Sequence, residues 1–186
     1  KKKIMVIPNG IDYVKFSPKR YINRNPGQLI TTASADVPLK GLDFTLQAIH
    51  SIKKDFPEIR LVVIGASRPG GHTERLIQKL NLEANIVYKT NLTKEEIAIE
   101  YAYSNIAIVS SLYEGFGFPI VEMMSRGLPV IASNGGSLTE LLSDSGLTFN
   151  PYDKDDLTVK IKQMLENTKL REKFALNSLN RMDDFF

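Results

Sequence analysis

The chain has 186 residues, 42% of them hydrophobic and 24% charged, an ordinary globular composition and about the length of one well-cored domain. No apolar run is long enough to span a bilayer and no signal-type segment is evident, while the lack of cysteine excludes a disulfide framework or a thiolate metal site, so the expectation is a soluble cytoplasmic protein. A net charge of +3 suits anionic ligands, but the basic residues are scattered apart from Lys1, Lys2 and Lys3, which read as solvated charge, and no nucleic-acid partner is expected.

Short apolar runs alternate with longer stretches of helical period, the pattern of βα units around a parallel sheet buried on both faces. Strands are expected at residues 4–7, 29–33, 61–64, 85–88, 106–109 and 128–132, with a short seventh at 147–149. Segment 17–28 is polar and proline-punctuated and reads as a loop. Leu42, Leu46, Ile49, Ile52 and Phe56 recur at helical spacing, and Pro57 stops that helix. Further helices are expected at 73–80, 94–103, 119–126, 137–142, 155–166 and 169–181, with Thr93 as an N-cap and with Leu157, Ile161, Met164 and Leu165 on the buried face of the penultimate one. The predicted architecture is one three-layer α/β/α domain over 1–186 with a mostly parallel sheet. Lys1 leads almost directly into an apolar strand and Phe185 and Phe186 close the chain, which suggests a fragment of a longer protein.

Ligands of parallel α/β sheets sit beyond the carboxyl ends of strands, where glycine-rich turns present free amides at helix starts. The turn Ser110-Ser111-Leu112-Tyr113-Glu114-Gly115-Phe116-Gly117-Phe118-Pro119 follows the strand at 106–109. Gly115 and Gly117 permit positive φ, Pro119 suits the first helical position, and Gly127 suits the stop. Glu114 and Glu122 flank this helix start. They are placed either to accept hydrogen bonds from vicinal hydroxyls of a ribose or hexose or to stand as solvated charges beside an ordinary turn, and spacing leaves both open. Gly135-Gly136 precede Ser137-Leu138-Thr139-Glu140, a capping-box pattern. Asn9 and Gly10 read as a turn, and His50 and His72 lack an evident partner.

The segment Glu114-Gly115-Phe116-Gly117-Phe118-Pro119-Ile120-Val121-Glu122 resembles the Glu, seven residues, Glu motif of retaining GT-B glycosyltransferases, notably family four. Ile7-Pro8-Asn9-Gly10-Ile11-Asp12 resembles that family's opening segment and Gly127-Leu128-Pro129-Val130-Ile131-Ala132-Ser133 the strand after its motif, so the resemblance covers nearly the whole chain. It implies the Rossmann-like, nucleotide-sugar-binding half of a GT-B fold. Lys40, before Gly41, looks like the family's donor-phosphate lysine, and with Glu114 near the sugar it takes the catalytic role. Glu122 is implied to hold the ribose, the amides of Gly115, Phe116, Gly117 and Phe118 the sugar and phosphate, and Ile120 and Val121 to pack beside the nucleoside. Thr90, Asn91 and Leu92 fall where the family cups the base, and Gly65 where amides approach the diphosphate. Family members usually carry an arginine shortly before the lysine. Here residues 33–39 hold no basic residue, which implies a lost phosphate contact near Ala35 or its transfer to Arg68.

The resemblance implies retaining transfer from a UDP-, GDP- or ADP-sugar to an acceptor hydroxyl in glycan, polysaccharide or glycolipid synthesis, with no metal or other cofactor. The acceptor, a glycan or a lipid-linked glycan, comes through an amino-terminal domain, so this chain alone is expected to bind donor without turnover, and membrane contact belongs to the full-length protein. Two alternatives stand beside it: a non-catalytic nucleotide-sugar-binding module, favoured by the missing arginine, and a nucleotide-sugar epimerase of the same fold.

Overall fold

The computed structural model describes residues 9–12, 16 and 23–182. The expected strand at 4–7, the lysine triplet and the terminal phenylalanines lie outside the described residues. In chain order the elements are β1 (Gln28–Thr32), a 3-10 turn (Pro38–Lys40), α1 (Leu42–Ile52), β2 (Arg60–Ile64), α2 (His72–Lys79), β3 (Ile86–Lys89), α3 (Lys94–Tyr103), β4 (Ile106–Val109), α4 (Phe118–Ser125), β5 (Val130–Ser133), α5 (Leu138–Leu142), β6 (Gly146–Phe149), α6 (Lys154–Glu166) and α7 (Thr168–Arg181).

Among the described residues, six parallel strands form one sheet in the order β3-β2-β1-β4-β5-β6. Side chains alternate across it. Leu29, Leu61, Val63, Ile106, Ile108 and Ile131 pack with α1, α2 and α6 on one face, while Ile30, Val62, Ile64, Ala107, Val109 and Val130 pack with α3, α4 and α5 on the other. The expected Rossmann-like three-layer architecture is therefore present. At the edge, β3 is half-buried, so burial on both faces holds for the inner strands alone. From β1 the chain winds outward to β2 and β3, then returns to place β4 on the opposite side of β1. That reversal opens a crevice at the carboxyl ends of β1 and β4, the usual ligand position in such sheets.

Several boundaries move for identifiable reasons. The first helix ends at Ile52 and continues as turns to Phe56, because a residue before proline is steered out of helical geometry. The fifth strand begins at Val130 rather than at 128, since Pro129 has no amide to donate and contributes its carbonyl to Ala107 instead. Phe118 opens α4, so Pro119 takes the second helical position rather than the first, where its missing amide is equally unneeded. Gly127 follows the helix with φ 60, as expected of a stop. Sequence reading missed the 3-10 turn that carries Lys40.

The described end of the expected loop is firmly held. The half-buried guanidinium of Arg24 donates to the carbonyls of Tyr101, Ala102 and Ser104 at the end of α3, and to those of Arg126 and Gly127 after α4. Among the described residues, no helix is long and apolar enough to cross a membrane.

Candidate functional site

Two loops meet at the crevice. The loop after β1 is bonded to the loop after β4 through Leu112 N to Leu39 O at 2.8 Å and Ser110 Oγ to Lys40 O at 2.9 Å. Lys40 Nζ lies 2.6 Å from Glu114 Oε1, and Ser111 Oγ donates to the same carboxylate oxygen at 2.7 Å. The Lys40 side chain is 34% exposed and that of Glu114 17%. The two residues assigned catalytic roles are thus a short ion pair at the rim of the sheet.

The loop bearing Glu114 is gripped from the next strand. Ser137 donates its amide to the Glu114 carbonyl at 3.1 Å and its hydroxyl to the Phe116 carbonyl at 2.8 Å, while Ser133 Oγ donates to the Ser111 carbonyl. Gly136 has φ 67, and a Cβ there would collide with the Glu114 carbonyl. Ser137 therefore makes no side-chain cap on α5, contrary to the capping-box expectation. Its hydroxyl is occupied by the motif loop.

Gly117 caps α4 in left-handed geometry with φ 90. Gly115 is exposed, Phe118 is 48% exposed, and Phe116 meets Phe118 edge-on at 5.0 Å. Ile120 and Val121 are fully buried in the core. Their side chains support the helix and offer no surface to a nucleoside, which corrects the expectation for them.

Glu122 lies on the following turn, with Tyr101 Oη 3.5 Å from its Oε2 and Thr32 Oγ1 3.0 Å from the same tyrosine oxygen. Desolvation raises the Glu122 carboxyl above its ordinary range, and Lys94 and the Tyr101 hydroxyl offset part of that. Burial, followed by the Glu122 charge, pushes the Tyr101 phenol up as well, so it stays a donor.

Beyond β3, Thr90 and Asn91 are exposed, Asn91 is left-handed with φ 55, and Leu92 packs against the core. Thr93 caps α3 in a capping box with Glu96, as expected. Gly65 closes β2 so tightly against the Ala33 carbonyl that a Cβ would collide with it. Close backbone packing and a φ of 156 both require a glycine there.

The segment without an arginine contains a carboxylate with its own task. Asp36 accepts hydrogen bonds from Thr73 N at 2.7 Å and His72 N at 3.2 Å, capping α2 from a distance, and the Thr73 amide is the largest influence holding its pKa below the ordinary range. Arg68 Nε stands 3.7 Å from Asp36 Oδ2 with its side chain 72% exposed. The pairing brings Arg68 to the same loop that carries Lys40, within the segment that lacks the arginine. His72 Nε2 lies 2.7 Å from Asp43 Oδ2 and His50 Nδ1 lies 2.8 Å from the Leu80 carbonyl, so both histidines have partners that sequence did not show. Among the described residues, no group of three or more His, Cys, Asp or Glu side chains could hold a metal ion.

The arrangement offers an ammonium and a glycine-capped helix start for an anion, with the Glu114 and Glu122 carboxylates for hydroxyls. Sequence reading missed Ser111, Ser137 and Tyr101 as supports of those carboxylates. Ser111 was visible in the turn, but its bond to Glu114 needed the folded loop.

A family model described as glycosyl transferases group 1 matches residues 15–181. MMP alpha-(1->4)-mannosyltransferase of Mycolicibacterium hassiacum is 32% identical over 188 residues, covering 100% of this chain and 45% of that protein. O-antigen chain mannosyltransferase B of Escherichia coli is 35% identical over 111 residues, 60% of this chain and 29% of that protein. The chain thus spans less than half the length of these curated relatives. Among solved structures, sucrose-phosphate synthase from Thermosynechococcus elongatus superposes with a TM-score of 0.85 at 26% identity, over 97% of this chain and 48% of that one. The C-terminal domain of a group 1 glycosyl transferase from Francisella tularensis superposes with a TM-score of 0.80 at 26% identity, over 94% of this chain and 97% of that one.

Proposed function

The chain belongs to the glycosyl transferases group 1 family, and from that premise we propose that it binds a nucleoside-diphosphate sugar at the carboxyl edge of its sheet for retaining transfer to an acceptor hydroxyl. The observation that carries this reading is the meeting of Lys40 and Glu114 at 2.6 Å where the sheet reverses direction. In this reading Lys40 and the amides near Gly117 hold the diphosphate, Glu122 the ribose and Glu114 the sugar, while the exposed loop of Thr90 and Asn91 takes the base. Stabilising the departing diphosphate is the main catalytic task, and removal of one preorganised donor costs about a hundredfold in rate.

No step in this reading needs a metal. A glycan or lipid-linked glycan acceptor is supplied by a further domain, in polysaccharide or glycolipid assembly, so this chain alone binds donor without turning it over. Two of the relatives are mannosyltransferases by name, which makes a mannosyl donor the first to try. A second reading, a nucleotide-sugar-binding module without catalysis, is favoured by one observation: residues 33–39 before Lys40 hold no basic residue.

Calorimetric titration with UDP, GDP and ADP in metal-free buffer tests the site. Saturable binding that weakens at least tenfold in Glu122→Ala and in Lys40→Ala supports it, and equal affinity in the variants removes it. Affinity without transfer in the full-length protein supports the second reading.

A further inference from the structure

We propose that the Lys40–Glu114 pair selects the sugar-bearing donor against the spent nucleoside diphosphate, and so promotes release of the product. The inference rests on the donor-site reading above.

The Lys40 ammonium is engaged by Glu114 Oε1 at 2.6 Å. The carboxylate is held independently by the Ser111 hydroxyl on the same oxygen at 2.7 Å, and the backbone beneath it by Ser137 on the Glu114 main-chain carbonyl. The Ser111 bond resists movement of the Glu114 carboxylate when a diphosphate draws Lys40 away. With its side chain 17% exposed, Glu114 is left as a largely desolvated anion beside the phosphates, a costly arrangement for an unpaired charge.

A nucleoside diphosphate offers Glu114 nothing in return, so two anions compete for one ammonium. A donor with its sugar attached presents hydroxyl hydrogens to the carboxylate and replaces the ammonium it loses. The penalty thus falls on the product rather than on the donor. On an open surface such a pair has little effect, and the partial burial of Glu114 is what gives it leverage.

The test is a double-mutant cycle read by calorimetry with UDP, GDP and ADP. Glu114→Gln keeps the shape and removes the charge. It should tighten binding of whichever nucleotide binds by about fivefold, the worth of a partly screened ion pair, and the gain should vanish in a Lys40→Met background, which keeps the lysine stem. Ser111→Ala frees the carboxylate to turn away and should give a smaller gain in the same direction. Equal tightening with and without Lys40 would mean simple charge repulsion and overturn the pairing, as would no tightening at all. If no nucleotide binds the wild-type chain, or if Lys40→Met binds as well as wild type, the donor site itself is wrong and the inference falls with it.

Discussion

The Glu122 carboxylate is partly withdrawn from water on α4, beside the Tyr101 hydroxyl and within the field of Lys94. Because its pKa is raised on folding, the folded protein holds this proton more tightly than the unfolded chain does. The contribution of Glu122 to stability is therefore most favourable at low pH, and it is lost as pH rises from the ordinary carboxylate range through the raised folded value. Asp36 and Glu96, whose pKa values are lowered, act in the opposite sense, so the comparison must be with a variant at this one position. Glu122→Gln should raise the melting midpoint near pH 7 by about 1–2 °C, a modest figure because partial exposure screens the charge. It should leave the midpoint unchanged at low pH and weaken nucleotide binding. An unchanged or lower midpoint near pH 7 would show that Lys94 and Tyr101 fully compensate the burial. A motif singled out Glu114 and Glu122, and the place before Gly41 singled out Lys40, but that Lys40 meets Glu114 and that Ile120 and Val121 are buried needed the fold, because a linear motif does not say which residues the helix turns inward.

Element by element, the two capping-box patterns show what local sequence can and cannot decide. Thr93 and Glu96 cap α3 as written, since nothing else competes for the threonine hydroxyl. Ser137 and Glu140 match the same pattern, but Ser137 is already helical and its hydroxyl goes to Phe116, a partner brought close only by the pairing of β4 with β5. The Gly135-Gly136 turn accordingly serves the Glu114 loop more than the helix it precedes. Gly70 offers a control, since it has φ 69 with nothing within 4 Å of a Cβ, whereas Gly136 has φ 67 with the Glu114 carbonyl in the way. Gly70→Ala should cost about 1 kcal/mol, the left-handed backbone penalty alone. Gly136→Ala should cost about 2–4 kcal/mol and also weaken nucleotide binding by displacing the loop amides that the donor-site reading places on the diphosphate. Urea midpoints measure the first difference and calorimetry the second. Equal costs would mean that the loop yields without resistance and that Gly136 is a turn residue like Gly70.

At the scale of the whole molecule, the α/β class and all six described strands followed from apolar runs, yet the order of the strands did not. That β1 lies between β2 and β4 is a matter of long-range pairing, and the crevice exists because of it. Arg24 was equally hidden, an arginine in a polar segment whose five acceptors are main-chain carbonyls far along the chain. These carbonyls end α3 and follow α4, the two helices that carry Tyr101 and Glu122, so one guanidinium satisfies the negative ends of both helices. Arg24→Ala leaves them without a charged donor and should destabilise the domain by about 3 kcal/mol, seen as a drop of about 6–12 °C in melting midpoint. Arg24→Lys should recover less than half of the loss, because an ammonium on a flexible stem cannot fork to two helix ends at once. Full recovery with lysine would reduce the interaction to charge alone. A loss below about 1 kcal/mol in Arg24→Ala would mean that water serves those carbonyls as well as the guanidinium does.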